Sequence, residues 1–82
     1  MPVKRKIRPD REAKISLRGV GRRIRQVRGF DMTQREFARR LRISQSQLSK
    51  YERGLMAPTA ECLIRLKEQF EISIDWVLTG NS

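Results

Sequence analysis

Five hydrogen-bonding side chains crowd one short stretch: Gln45, Ser46, Gln47, Ser49 and Lys50. With no histidine in the chain and one cysteine, they have no obvious general base, metal or convergent carboxylate set to work with, so neither an enzyme nor a metal or cofactor site is expected. Reading base edges suits these side chains better. Glutamine can pair bidentately with adenine N6 and N7, lysine can donate to guanine O6 and N7, and serine can serve several edges. A helix face made only to be solvated favours Glu and Lys, whose helix propensity exceeds that of a Gln/Ser mixture. The five residues are therefore candidate base contacts in a DNA major groove.

Size and charge fit that chemistry. Eighty-two residues, 38% of them hydrophobic, are expected to make one domain, near the lower size limit for folding without staples, with no second domain for a small-molecule effector. The formal charge is +10 and segregated: residues 16–57 hold eleven Lys/Arg against three acids, whereas residues 58–82 hold two against four. A polyanion contacting only the basic part gains attraction there. Cys62 has no partner for an internal disulfide, and residues 1–15 are charged with no apolar run. A cytoplasmic protein without a signal peptide is expected. No apolar stretch approaches the roughly 20 residues that cross a bilayer.

The elements that must position the five residues are helices. Leu17, Val20, Ile24 and Val27 recur at helical spacing and predict a first helix over 17–28, stopped by Gly29, with Arg22, Arg23, Arg25 and Gln26 mainly outside the apolar stripe. Thr33 with Glu36 makes a capping box, and Met32 with Phe37 a hydrophobic staple, so a second helix spans 34–41. Ser44 with Gln47 and Ile43 with Leu48 repeat the pattern after a turn of about three residues, and the third helix spans 45–53. Thr59 caps a fourth helix with Leu63, Leu66 and Phe70 as its buried stripe. Ser73 caps a short fifth one carrying Trp76 and Val77, closed by Gly80. No alternation long enough for a strand exists. Residues 1–15 are expected to form a flexible basic arm, and residues 16–82 an all-α helix-turn-helix domain.

The segments TQREFA, ISQSQLSKYERG and SIDWVLTG occur in that order, and residues 19–80 resemble the lambda-repressor/Cro-like (XRE-type) helix-turn-helix family. The resemblance implies a compact five-helix bundle that binds double-stranded DNA, a palindromic operator above all, as a homodimer, and acts as a transcriptional repressor. It implies that Gln34 contacts a phosphate and braces Gln45, and that Ser46 and Lys50 touch bases. Gln47 and Ser49 face bases or backbone. Arg53 belongs to the loop that grips the backbone, and Arg28 pairs with Glu52. Gln34, Arg35, Arg42, Arg53 and Arg28 are the expected backbone contacts. The end of helix four, helix five and Leu78 to Ser82 form the expected dimer surface. The alternative is an antitoxin or other partner-binding regulator whose DNA binding is secondary, with the acidic Glu61, Glu68, Glu71 and Asp75 as its surface.

Three departures from the family pattern carry expectations of their own. Arg42 stands where the family usually has glycine, so a left-handed backbone there costs about 1 kcal/mol, offset if Arg42 reaches a phosphate. The segment Gly29 to Met32 is one residue shorter than usual, which bears on where helix one ends. Lys67 and Glu71 replace small residues before helix five, so that turn is expected to differ.

The arm holds Lys4, Arg5, Lys6, Arg8, Arg11 and Lys14. With two or three phosphate contacts per chain, deleting residues 1–14 from a dimer flattens the slope of log affinity against log salt by about 4–5 units and weakens specific and non-specific binding alike. An unchanged slope leaves the arm without a role on DNA.

Overall fold

The computed structural model describes residues 15–81; of the expected basic arm, 1–15, residues 1–14 lie outside them, as does Ser82 of the expected dimer surface. Within that span every helix begins on a hydroxyl. The side chains of Ser16, Thr33, Ser44, Thr59 and Ser73 each accept from the backbone N–H three residues on, at 3.0 to 3.1 Å, satisfying one of the donors that a helix start leaves open. The helices are α1 (Leu17–Arg28), α2 (Gln34–Leu41), α3 (Gln45–Glu52), α4 (Ala60–Phe70) and α5 (Ile74–Thr79). No strand occurs among the described residues. Ser16 is a cap that the apolar spacing alone does not announce. Helix α3 ends one residue earlier than expected, with Arg53 as its cap.

The ends of the helices explain the departures noted in the sequence. Ile43 N–H bonds to Ala38 carbonyl and Arg42 N–H to Arg39 carbonyl, a Schellman closure that requires a left-handed residue between α2 and the turn. Arg42 occupies it at φ 57°, ψ 41°. Glu71 is also left-handed after α4, at φ 55°, with its N–H bonded to the Lys67 carbonyl in the simpler one-bond closure, which is how the turn into α5 is made without a small residue. Gly29 sits at φ 69°, ψ −161°, a region open essentially to glycine alone. That conformation turns the chain sharply at the end of α1 and lets the short segment reach Thr33.

Helix α1 packs on α3 and α5, α2 on α3 and α4, and α4 on α5. The core joins Val20 and Ile24 of α1, Phe37, Ala38 and Leu41 of α2, Leu48 and Tyr51 of α3, Cys62 and Leu66 of α4, and Val77 of α5. The expected α4 stripe needs correction: Cys62 and Leu66 are buried, whereas Leu63 and Phe70 are half-buried. Cys62 and Leu66 lie four residues apart on one face, and Phe70 at the helix end is left to be covered by the Phe37 ring at 5.2 Å and the Arg40 guanidinium at 6.0 Å. Trp76 is likewise half-buried, since a six-residue helix has one inward side. Burial pushes the Cys62 thiol up to about 11 against a smaller opposing effect of Arg65, so Cys62 behaves as a small apolar group.

Gly21 sets how closely α1 and α3 approach. A Cβ placed there would lie 2.3 Å from the Tyr51 carbonyl oxygen and 2.6 Å from that of Glu52, and both atoms are backbone that cannot rotate away. Gly21→Ala is expected to lower stability by about 1–3 kcal/mol through overpacking despite alanine's better helix propensity. Denaturant unfolding checks it, and an unchanged midpoint contradicts the close approach.

Candidate nucleic-acid interface

Helices α2 and α3 with the turn Arg42 to Ser44 between them form the helix-turn-helix. Phe37, Ala38 and Leu41 of α2 and Leu48 and Tyr51 of α3 share the core, which fixes the outward face of α3. On that face Gln45, Ser46, Lys50 and Arg53 are exposed, and Gln47 and Ser49 are half-buried. The Gln47 amide donates to the Tyr51 hydroxyl. Tyr51 is wholly buried, and an unpaired hydroxyl there would cost about 1–3 kcal/mol. Gln47 is therefore tied to the core, which weakens the expectation that it reads a base. It also does not return the capping bond that its spacing from Ser44 suggests.

A chain of polar side chains crosses three helices at the start of this face. Arg28 of α1 donates through Nε and Nη2 to the two carboxylate oxygens of Glu52, each at 2.9 Å. Gln34 at the start of α2 donates to Glu52 Oε1 at 3.2 Å, and Gln45 donates to Gln34 Oε1 at 3.5 Å. The Arg28 and Glu52 side chains keep 16% and 5% of their exposure. Arg28 Nη1 also donates to the Met32 carbonyl at 3.4 Å. Arg28 was expected both to pair with Glu52 and to hold a phosphate. Its nitrogens are engaged inside the domain, so the pairing is the role the geometry supports.

The remaining expected backbone residues divide. Gln34 and Arg35 open α2 and Arg53 caps the end of α3; Gln34 meets the start of α3 through Gln45, and Arg35 and Arg53 are exposed. Arg42 instead shares a depression with Glu61, Ile64, Arg65 and Glu68 of α4, so it is not brought into the cluster around Gln34 and Gln45. Two arginines that the sequence left unassigned hold the frame. Arg23 donates to the Val77 and Leu78 carbonyls at 2.8 and 3.2 Å and so ties the end of α5 to α1. Arg65 donates to the Leu41 carbonyl at 3.4 Å, meeting the end of α2. Arg23 lies between Val20 and Ile24, at the border of the apolar stripe, and that border position was the signal available. Nothing in the sequence says which helix end it meets. No cluster of potential metal ligands is present among the described residues, and no described helix is long and apolar enough to cross a membrane.

Five helices with this short α2–α3 turn and a braced, polar outward face define a helix-turn-helix domain. A family model described as a helix-turn-helix domain matches residues 21–82, and the chain belongs to that family, in its lambda-repressor-like, XRE-type branch. It is 38% identical over 63 residues to the HTH-type transcriptional regulator DicA of Escherichia coli, a match covering 76% of this chain and 47% of DicA. The chain thus spans about half the length of the curated relatives it matches. Among solved structures it is similar to the P22 c2 repressor in complex with a synthetic operator, with a TM-score of 0.69 and 28% identity over 76% of this chain and 96% of that one. It is also similar to SinR, a regulator of biofilm formation, in complex with DNA, with a TM-score of 0.62 and 27% identity over 71% and 95% of the two chains.

Removing one member of the Arg28–Glu52 pair leaves the other charge desolvated. Glu52→Ala is expected to cost about 3 kcal/mol. Combining it with Arg28→Ala should cost less than the sum of the single changes, by about 1–3 kcal/mol. A double-mutant cycle in denaturant measures the coupling, and additive losses contradict the pairing.

Proposed function

We propose that this chain binds double-stranded DNA sequence-specifically as the DNA-binding part of a transcriptional repressor, with α3 in the major groove. The observation that carries the proposal is the bridge from Arg28 through Glu52 and Gln34 to Gln45. It draws the exposed amide of Gln45 toward Gln34, at the tip of a face that holds donors and acceptors and no large apolar side chain. A preorganised amide loses less freedom on meeting a base than a free one. Gln45, Ser46 and Lys50 are the base readers, with Ser49 and Gln47 nearer the backbone. Gln34, Arg35 and Arg53 hold phosphates; Gln34 is aided by the open N–H groups and positive dipole end of α2.

One eight-residue helix specifies too few base pairs for a unique site, so two copies act on a two-fold symmetric operator with half-site centres about 34–36 Å apart. The end of α4, α5 and the residues after it form the surface between them. Such a regulator works in the cytoplasm, where its DNA is, and needs no cofactor. A partner-binding module with secondary DNA binding is not favoured: DicA is a transcriptional regulator, and the c2 repressor structure holds operator DNA.

Selection from random duplex DNA is expected to return a motif with a dyad, and a motif without one, bound by a single chain, contradicts the dimer. On the selected site, Gln45→Ala and Lys50→Ala should each lose about 1–3 kcal/mol of discrimination at particular base pairs, with non-specific affinity less affected for Gln45. Variants that keep the parent's ranking of sites show that another element reads the sequence.

A further inference from the structure

Arg18, Arg22 and Arg25 follow one another along α1 at the spacing of helix neighbours, where like charges repel. Two other arginines of α1 are occupied, Arg23 by α5 carbonyls and Arg28 by Glu52. Arg22 and Arg25 are exposed, and among the described residues no carboxylate pairs with either. Together with Gln26, Arg28, Phe30 and Met32 they line a groove of about 400 Å³. The Phe30 residue is 108% exposed, so its ring packs on nothing within the domain. The groove also abuts the cluster at the start of the reading face, since the Arg28 that lines it is bonded to Glu52 and to the Met32 carbonyl.

We propose that this groove is a sugar-phosphate cradle, which extends the DNA contact beyond the helix-turn-helix onto the outer side of α1. The proposal rests on the DNA-binding reading above. Arg22 and Arg25 take phosphates of the backbone flanking the half-site, and the Phe30 ring lies against the apolar face of a deoxyribose. A nucleotide backbone supplies both things the groove lacks, fixed negative charge for two guanidiniums that no described carboxylate meets and a ring surface for an uncovered aromatic. Arginine's planar fork suits phosphate oxygens better than a lysine's point charge does. An acidic peptide carrying an apolar side chain offers similar chemistry. The duplex is favoured because the groove shares Arg28 with the assembly that holds Gln34 and Gln45.

The test uses the full chain on its selected site and compares the parent with the double variants Arg22→Gln/Arg25→Gln and Arg22→Lys/Arg25→Lys. Each phosphate contact contributes about 0.9 to the salt slope. The Gln pair should flatten the slope by about 1.8 per bound chain, so that the affinity lost between about 50 and 200 mM salt shrinks by about tenfold. The ranking of sites should be unchanged. The Lys pair should restore the slope, Phe30→Ser should weaken binding with the slope kept, and hydroxyl-radical protection of the flanking sugars should be lost in the Gln pair. Circular dichroism establishes that each variant keeps the parent's helicity, which exposed positions allow. A Gln pair with the parent's slope and protections overturns the proposal. A Gln pair that keeps that slope but loses binding to a polyglutamate probe overturns it too and assigns the groove to an acidic protein partner. A parent that binds no duplex defeats the functional reading itself, and the cradle with it.

Discussion

Everything the outward face of α3 can do depends on how α1 grips the far end of that helix. The Tyr51 and Glu52 carbonyls pass so close to Gly21 that no side chain fits between them, and the same Glu52 takes both arms of Arg28. The first contact sets distance and the second sets rotation. A desolvated ion pair contributes little net stability compared with a well-packed apolar alternative, and its best-supported use is in specifying one arrangement over others. Here the arrangement specified is useful, since Glu52 also receives Gln34, and Gln34 in turn receives Gln45. An acid beside a DNA-facing surface would otherwise repel phosphates. Neutralised by Arg28, it becomes the hub that orients two amides.

The same economy runs through the arginines. Their abundance suggests a uniformly basic surface, yet Arg23 and Arg65 are spent on the carbonyls of α5 and α2, Arg28 on Glu52 and Arg40 on the Phe70 ring. Each supplies donors or a flat cation where a small core leaves a helix end or a ring uncovered. The long apolar stem packs while the head bonds, which a lysine would do with less directional control. Among the described residues, the arginines left for a polyanion are a narrower set, Arg35, Arg39, Arg42 and Arg53 around the helix-turn-helix and Arg18, Arg22 and Arg25 along α1. Net charge alone overstates the interface.

Local chemistry was the legible part of the fold. Thr33, Ser44, Thr59 and Ser73 could be recognised as caps because a hydroxyl followed by helix-period apolar residues meets a purely local need, and helix lengths follow from them. Arg42 was legible as a strained position only through the family resemblance, which places glycine there; the structure supplies the reason, a Schellman closure that needs a left-handed residue whatever its type. The tertiary contacts were not legible. Gly21 reads as an indifferent residue within α1 until α3 is laid across it, and Arg23 reads as surface until α5 brings its carbonyls there. Gln47 shows the limit within the site. Its type and position suit base reading, and only the location of the Tyr51 hydroxyl four residues on diverts its amide inward. Leu63 and Phe70 have the right period for a core, but α4 turns Cys62 and Leu66 to the centre.

The division between an anchored inner face and an unconstrained outer face has a thermodynamic basis. Eight residues are far short of the roughly 12–15 at which even an alanine-rich helix becomes marginally stable by itself, and serine adds nothing to helix propensity. Helix α3 therefore owes its existence to the Ser44 cap, to burial of Leu48 and Tyr51, and to the grip of α1 on its end. Full burial of two such side chains contributes about 1.5–3 kcal/mol each, which outweighs the few tenths of a kcal/mol that separate Gln, Ser and Lys in propensity at exposed positions. Stability is consequently almost indifferent to which polar side chains stand at residues 45, 46 and 50. A domain whose outward α3 residues carry so little of the folding free energy can change them without refolding, which lets one frame present different polar faces.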